Sequence, residues 1–178
     1  INIMHFSGRT DAELTPVLPS LRQQGATGII LDLRSNPGGV LETVIDVASH
    51  FIKEGIVLNV KDNQGQVTPR NIRPGRQITD LPMIVLTDNY SASGSEVLAG
   101  ALQDHSRAIV AGTKTYGKGS VNALYTLKDG SGLYVTIARW LTPKGRPLEG
   151  TGLAPDKELK LTGDDAIKWA IDQLHGRQ

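Results

Sequence analysis

Three short apolar runs constrain the fold most. They are Gly28-Ile29-Ile30-Leu31-Asp32-Leu33, Pro82-Met83-Ile84-Val85-Leu86-Thr87 and Arg107-Ala108-Ile109-Val110-Ala111. Each is the length of a strand buried on both faces, and each runs into a loop rich in Gly, Ser or Asn. Helical patterns stand between them. Leu41, Val44, Ile45, Ala48, Phe51 and Ile52 form one stripe, and Val97, Leu98, Ala101 and Leu102 another. Strand–helix–strand alternation with short connections is the signature of a layered α/β fold, in which working residues gather where strands end and helices begin.

The remaining segments fit that plan. Residues 1–6 read as a strand. Thr10-Asp11-Ala12-Glu13 resembles a capping box opening a helix to about Gln24, but Pro16 and Pro19 predict an irregular first turn or a late start, with Thr15 as cap. Residues 56–61 and 66–72 read as paired strands around Asn63-Gln64-Gly65. Residues 121–127 and 133–142 form a second pair around Asp129-Gly130-Ser131-Gly132, and a last helix spans about 164–175. One domain accounts for 178 residues. The start at Ile1 has neither an initiating Met nor a signal-peptide pattern, so the chain reads as a piece of something longer.

Composition removes several functions. With no Cys, thiol catalysis, Cys-based zinc sites and disulfides are out. A net charge of +1 is too balanced for a nucleic-acid glove or a polybasic membrane patch. No apolar run approaches a membrane span. No metal or cofactor is expected.

Three loops hold the chemistry. Gly112-Thr113-Lys114-Thr115-Tyr116-Gly117-Lys118-Gly119 nearly spells a phosphate-binding loop, but Gly119 stands where a hydroxyl is needed and a strand follows where a helix should. Lys118 is either an exposed turn lysine or a functional one. Ser93 falls where a buried strand turns into a helix, a place that suits a nucleophile. It could equally be an N-cap, since Ser93-Gly94-Ser95-Glu96 is a capping-box pattern, and Ser91 and Ser95 compete for either role. A serine nucleophile needs a base. His105 is about 18 Å from Ser93 along their helix, and His5 and His50 lie in other elements. A Ser–Lys dyad with Lys118 remains. It requires a lysine that gives up its proton near neutral pH, as burial in an apolar pocket would allow. Gly38 and Gly39, after a Pro and before a helix, can present backbone amides at close range; the amides of Gly39 and Gly94 are natural candidates for oxyanion donors, and the alternative for Asn36-Pro37-Gly38-Gly39 is a plain turn.

At these residues the chain resembles the carboxyl-terminal processing, or tail-specific, proteases. The resemblance rests on Leu31-Asp32-Leu33-Arg34-Ser35-Asn36-Pro37-Gly38-Gly39, Ser91-Ala92-Ser93-Gly94-Ser95-Glu96 and Gly112 to Val121, in that order. Asp104-His105-Ser106-Arg107-Ala108 and Gly150 to Asp156 also fit, so that it covers roughly residues 1–160. It implies a crotonase-like or ClpP-like α/β core with a β-hairpin extension, the whole of residues 1–178 being one protease catalytic core. It implies a serine endopeptidase that cuts protein substrates at or near their C-termini. The family spacing selects Ser93, with Lys118 25 residues later, as the dyad, and Gly39 and Gly94 as the oxyanion amides. Asn122 stands where some members carry a lysine-orienting glutamine, and Asp104 is expected to be structural support. The resemblance further implies a PDZ domain as partner in the full-length chain and an extracytoplasmic location, bacterial periplasm or thylakoid lumen. The contrasting expectation is a catalytically silent core or peptide-binding module.

Overall fold

The computed structural model describes residues 1–176. The three apolar runs become β1 (Ile29–Asp32), β4 (Met83–Thr87) and β5 (Ile109–Gly112), parallel neighbours in the sheet β1-β4-β5-β8. The fourth member, β8 (Lys157–Glu158), is two residues long and leaves no periodic signal in the sequence.

The central strand explains the continuous apolar run. Met83 and Val85 of β4 face one core, with Phe6, Leu31, Leu33, Val44, Phe51, Leu98 and Val110. Ile84 and Leu86 face a second core with Ala111, Ala166 and Ala170. Helices α2 (Leu41–Phe51) and α3 (Gly94–Asp104) cover the first face, and α4 (Gly163–His175) covers the other. A sheet covered on both faces has no polar side to alternate toward.

Because β1, β4 and β5 are parallel, their carboxyl ends share one edge. The three loops 33–40, 88–93 and 113–119 therefore open side by side, at the place where α/β sheets hold their ligands.

A second, antiparallel sheet has the order β3-β2-β7-β6. It is built from β2 (Ile56–Asp62), β3 (Val67–Asn71), β6 (Ser120–Thr126) and β7 (Gly132–Leu141). Its β6–β7 pair is the expected hairpin extension, with Leu124, Tyr125, Leu133 and Tyr134 all exposed.

Two local expectations fail. Helix α1 (Thr10–Gln23) runs unbroken through Pro16 and Pro19, starting at Thr10, which is not a cap. Leu14 and Leu18, one turn apart, bury into the main core. Both prolines are exposed, as are Ala12 and Thr15, whose carbonyls lose their helical donors to the two rings and are left to water. Residues 1–6 make only two isolated parallel bridges, Asn2 to Asp32 and Phe6 to Gly39, because past the end of β1 the Asn36 side chain takes Ile3 O and the next backbone pairing falls on the Gly38–Val40 loop. Phe6 gives its N–H to Gly38 O and accepts the N–H of Val40. That contact pins one of the three loops.

Candidate active site

Ser93 sits between β4 and α3 with φ 55° and ψ −115°. Among the described residues only three other than glycine have positive φ, Ser35, Ser93 and Ser106. A side chain in this region costs about 1–3 kcal/mol and persists only when its surroundings enforce it. A serine on a strained strand-to-helix turn is the geometry that exposes a nucleophile beside helix N-terminal amides. The neighbouring hydroxyls are committed elsewhere. Ser91 Oγ donates to Leu33 O at 2.8 Å and Ser95 Oγ to Asn36 O at 2.9 Å, both fully buried.

The enforcing group is Glu96, one turn into α3 and 0% exposed. Its Oε2 accepts the N–H of Ser93 and the N–H of Lys118, each at 2.8 Å. Its Oε1 accepts from Thr115 Oγ1 at 2.5 Å and from the N–H of Gly117 at 2.7 Å. Four donors satisfy a buried carboxylate. They also join the Ser93 turn to the Lys118 loop. The sequence gives Glu96 a capping role only; the three other bonds come from residues 19 to 22 positions away, which no local pattern announces.

Glu149 holds the other side of the lysine loop, accepting the N–H of Gly119 at 2.7 Å. A Cβ on Gly119 would lie 2.3 Å from Glu149 N, so the glycine is required by close backbone approach. Lys118 itself is exposed, and its ammonium has no hydrogen bond or ion pair among the described residues. It lines an open pocket of about 610 Å³ with Ser35, Pro37, Tyr90, Ala92 and Tyr116. The burial that a neutral lysine calls for is not supplied by these residues alone.

The glycine loop is equally constrained. Asn36 is fully buried; its amide donates to Ile3 O at 2.6 Å and its Oδ1 accepts the Gly38 N–H at 2.8 Å. Asn36 O accepts the Ala92 N–H at 3.0 Å, tying the loop to the serine turn. The Gly38 amide is thereby used up. The N–H groups of Gly39 and Gly94 have no acceptor among the described residues. A Cβ built on Gly94 would be 3.5 Å from Gly39 N, so the two amides are neighbours. A Cβ on Gly39 would meet Phe6 O at 2.1 Å, which leaves no alternative to glycine.

Two sequence candidates lie outside this cluster. The Asn122 side chain is occupied within the hairpin, accepting from Thr136 Oγ1 at 2.7 Å and donating to Ser120 Oγ at 3.3 Å. Asp104, at the far end of α3, accepts the Lys144 N–H at 2.8 Å and pairs with Arg146 at 2.5 Å, closing the turn after β7. Two of the histidines are also engaged elsewhere. His50 meets Asp11 at 2.7 Å, and His105 meets Ile56 O at 2.8 Å. Beneath the glycine loop, Arg34 grips Asp32 through Nε at 2.9 Å and Nη2 at 2.6 Å. Burial pushes the Asp32 carboxyl up, but these bonds and the guanidinium charge prevail and hold it below the usual carboxylate range.

The chain is similar to known proteins along most of its length. The sequence model of peptidase family S41 matches residues 1–159. A carboxyl-terminal-processing protease of Synechocystis is 41% identical over 99% of this chain and 43% of its own length. The chloroplastic carboxyl-terminal-processing peptidase 3 of Arabidopsis thaliana is 37% identical over 94% of this chain and 32% of its own. The solved photosystem II D1 C-terminal processing protease superposes with a TM-score of 0.84 at 36% identity, covering 89% of this chain and 41% of that one. The chain thus spans less than half the length of these relatives. With a family model over residues 1–159 and relatives of this identity along nearly the whole chain, the protein belongs to peptidase family S41.

Proposed function

We propose that this chain is the catalytic core of a serine endopeptidase that cuts proteins at or near their C-termini. The observation that carries the reading is the strained Ser93 turn, held by Glu96 to the loop of Lys118. Neutral Lys118 takes the Ser93 proton as Oγ attacks the scissile carbonyl. The Gly39 and Gly94 amides receive the oxyanion, protonated Lys118 donates to the leaving amine, and water releases the acyl group.

Residues 1–178 act as one core of a longer polypeptide, in which a PDZ domain captures the substrate tail by strand addition. Support comes from relatives more than twice as long. The partners are protein or peptide C-terminal tails. The location we infer is extracytoplasmic, in the periplasm or the thylakoid lumen, in keeping with cyanobacterial and chloroplastic relatives. No helix among the described residues is long and apolar enough to cross a membrane.

A second reading, a core silent in isolation, is favoured by the exposure of Lys118. The test is peptide cleavage across pH beside Ser93→Ala and Lys118→Ala. Activity lost in both variants supports the dyad. Activity surviving Ser93→Ala sinks the assignment. A fully folded but inactive wild type favours the silent core.

A further inference from the structure

Asp88 follows β4 at the mouth of the site and collects donors from two loops at once. Its Oδ1 accepts the N–H groups of Ser35, Tyr90 and Ser91, each at 2.9 Å. Its Oδ2 accepts from Ser35 Oγ at 3.2 Å. Among the described residues, both donors of Ser35 go to Asp88 and nowhere else. Ser35 has φ 58°, a left-handed conformation that a residue with a Cβ holds only under constraint. It opens the loop that ends in the unpaired Gly39 amide. Tyr90 and Ser91 belong to the turn that ends in Ser93 and the unpaired Gly94 amide.

We propose that Asp88 is a positioning residue for the oxyanion site, its carboxylate locking the Ser35 end of the Gly39 loop to the turn that leads into Ser93. The inference rests on the peptidase reading given above. Asn36 fastens the middle of the glycine loop through Ala92 and Ser95, and Phe6 fastens its end. Asp88 fastens the beginning. Without it the left-handed Ser35 has no partner for either donor, and the first peptide units of the loop relax. The Gly39 amide then shifts relative to the Gly94 amide, and two donors that must converge on one oxygen cease to do so.

The role is geometric rather than electrostatic. A carboxylate has the wrong sign to stabilise an oxyanion. An amide oxygen at the same place presents the same two lone pairs to these N–H groups, and its NH2 can donate to Ser35 Oγ where Oδ2 accepts from it. Asp88→Asn therefore keeps the lock, and Asp88→Ala removes it. A role in charge would instead make the two variants equal, since neither side chain carries a charge.

The experiment is the rate constant for labelling Ser93 with a fluorophosphonate probe, with the labelled residue identified by mass spectrometry. In this reaction the Ser93 Oγ–P bond forms, the P–F bond breaks and fluoride leaves, while the serine proton passes to Lys118. The phosphoryl oxygen occupies the oxyanion site. An irreversibly unfolded fraction lowers the final extent of labelling but not its rate constant, and a reversibly unfolded one is corrected for by the folded fraction read from circular dichroism, so a merely structural role is separable. We expect Asp88→Ala to slow labelling about 10- to 100-fold and Asp88→Asn to stay within about threefold of wild type. Asp88→Glu, which displaces the carboxylate by one methylene, slows it as Ala does and serves if Ala does not fold. An Asp88→Ala rate equal to wild type overturns the inference and leaves the peptidase reading standing, as does an equal loss in Asn and Ala. A wild type not labelled at Ser93 overturns the peptidase reading itself, and this inference with it.

Discussion

Ser93 and Lys118 donate their backbone N–H groups to the same oxygen of Glu96, each at 2.8 Å. The proposed nucleophile and base are thus registered through main chain, not through side-chain contact. Glu96→Gln replaces one of the two acceptor oxygens with an amide NH2 that must face two donors. Each buried group left unpaired costs about 1–3 kcal/mol. We expect a lower urea midpoint together with a fall of about 100-fold in peptide cleavage. A variant that loses stability but keeps full activity per folded molecule would show that Glu96 does not set the register.

Asp32 gives a pH signature. Its folded pKa is depressed, because the bonds from Arg34 outweigh the upward push of burial. A depressed carboxylate contributes stability above its unfolded pKa, near 3.9, and loses it as pH falls through the folded value. Arg34→Gln should therefore be less stable than wild type at neutral pH. The gap between them should close on acidification below about pH 4. Urea midpoints for both proteins at neutral and acid pH check this; a gap independent of pH would assign the loss to the Arg34 bond with Gly163 O instead.

Much of this was open to reading from the sequence, and the limits are physical. The three apolar strands and the helices of residues 41–51 and 94–104 announce themselves because a buried strand and an amphipathic stripe are local patterns. Ser93, Gly39, Gly94 and Lys118 stand out as candidates because strand ends are where such folds work. Glu96, Asp88 and Glu149 are not. Each looks like an ordinary cap or surface acid until the chain brings donors from distant loops to it. Pro16 and Pro19 misled because the burial of Leu14 and Leu18 outweighs two missing donors. The bond of Asn122 to Thr136 was not legible because that partner lies across the hairpin.

Gly94 offers a test of packing beneath the proposed nucleophile. It is the first residue of α3, and a Cβ there would meet Val44 Cγ2 at 2.8 Å. Val44 is fully buried and β-branched, so it cannot turn aside cheaply. Gly94→Ala gains helix propensity of about 1 kcal/mol but overpacks by about 1–3 kcal/mol. We expect a net loss of stability that is smaller when Val44→Ala is already present. A double-mutant cycle of denaturant midpoints reads the coupling, and strict additivity would refute the contact.

The strain at Ser93 makes the last prediction. With φ 55° and ψ −115°, the residue occupies a region open to glycine and costly to anything with a Cβ. Ser93→Ala removes the hydroxyl but keeps the Cβ, so the strain stays. Ser93→Gly removes both. We expect Ser93→Gly to raise stability over Ser93→Ala by about 1 kcal/mol or more, while both abolish cleavage. Greater flexibility of glycine in the unfolded chain works against this gain by about 0.4–1 kcal/mol, so a positive difference means that the folded-state strain exceeds it. Thermal or urea unfolding of the two variants side by side decides the matter. If Ser93→Gly is the less stable of the pair, the turn stores little strain, and the conformation of the buried serine must be enforced by Glu96 and its donors alone.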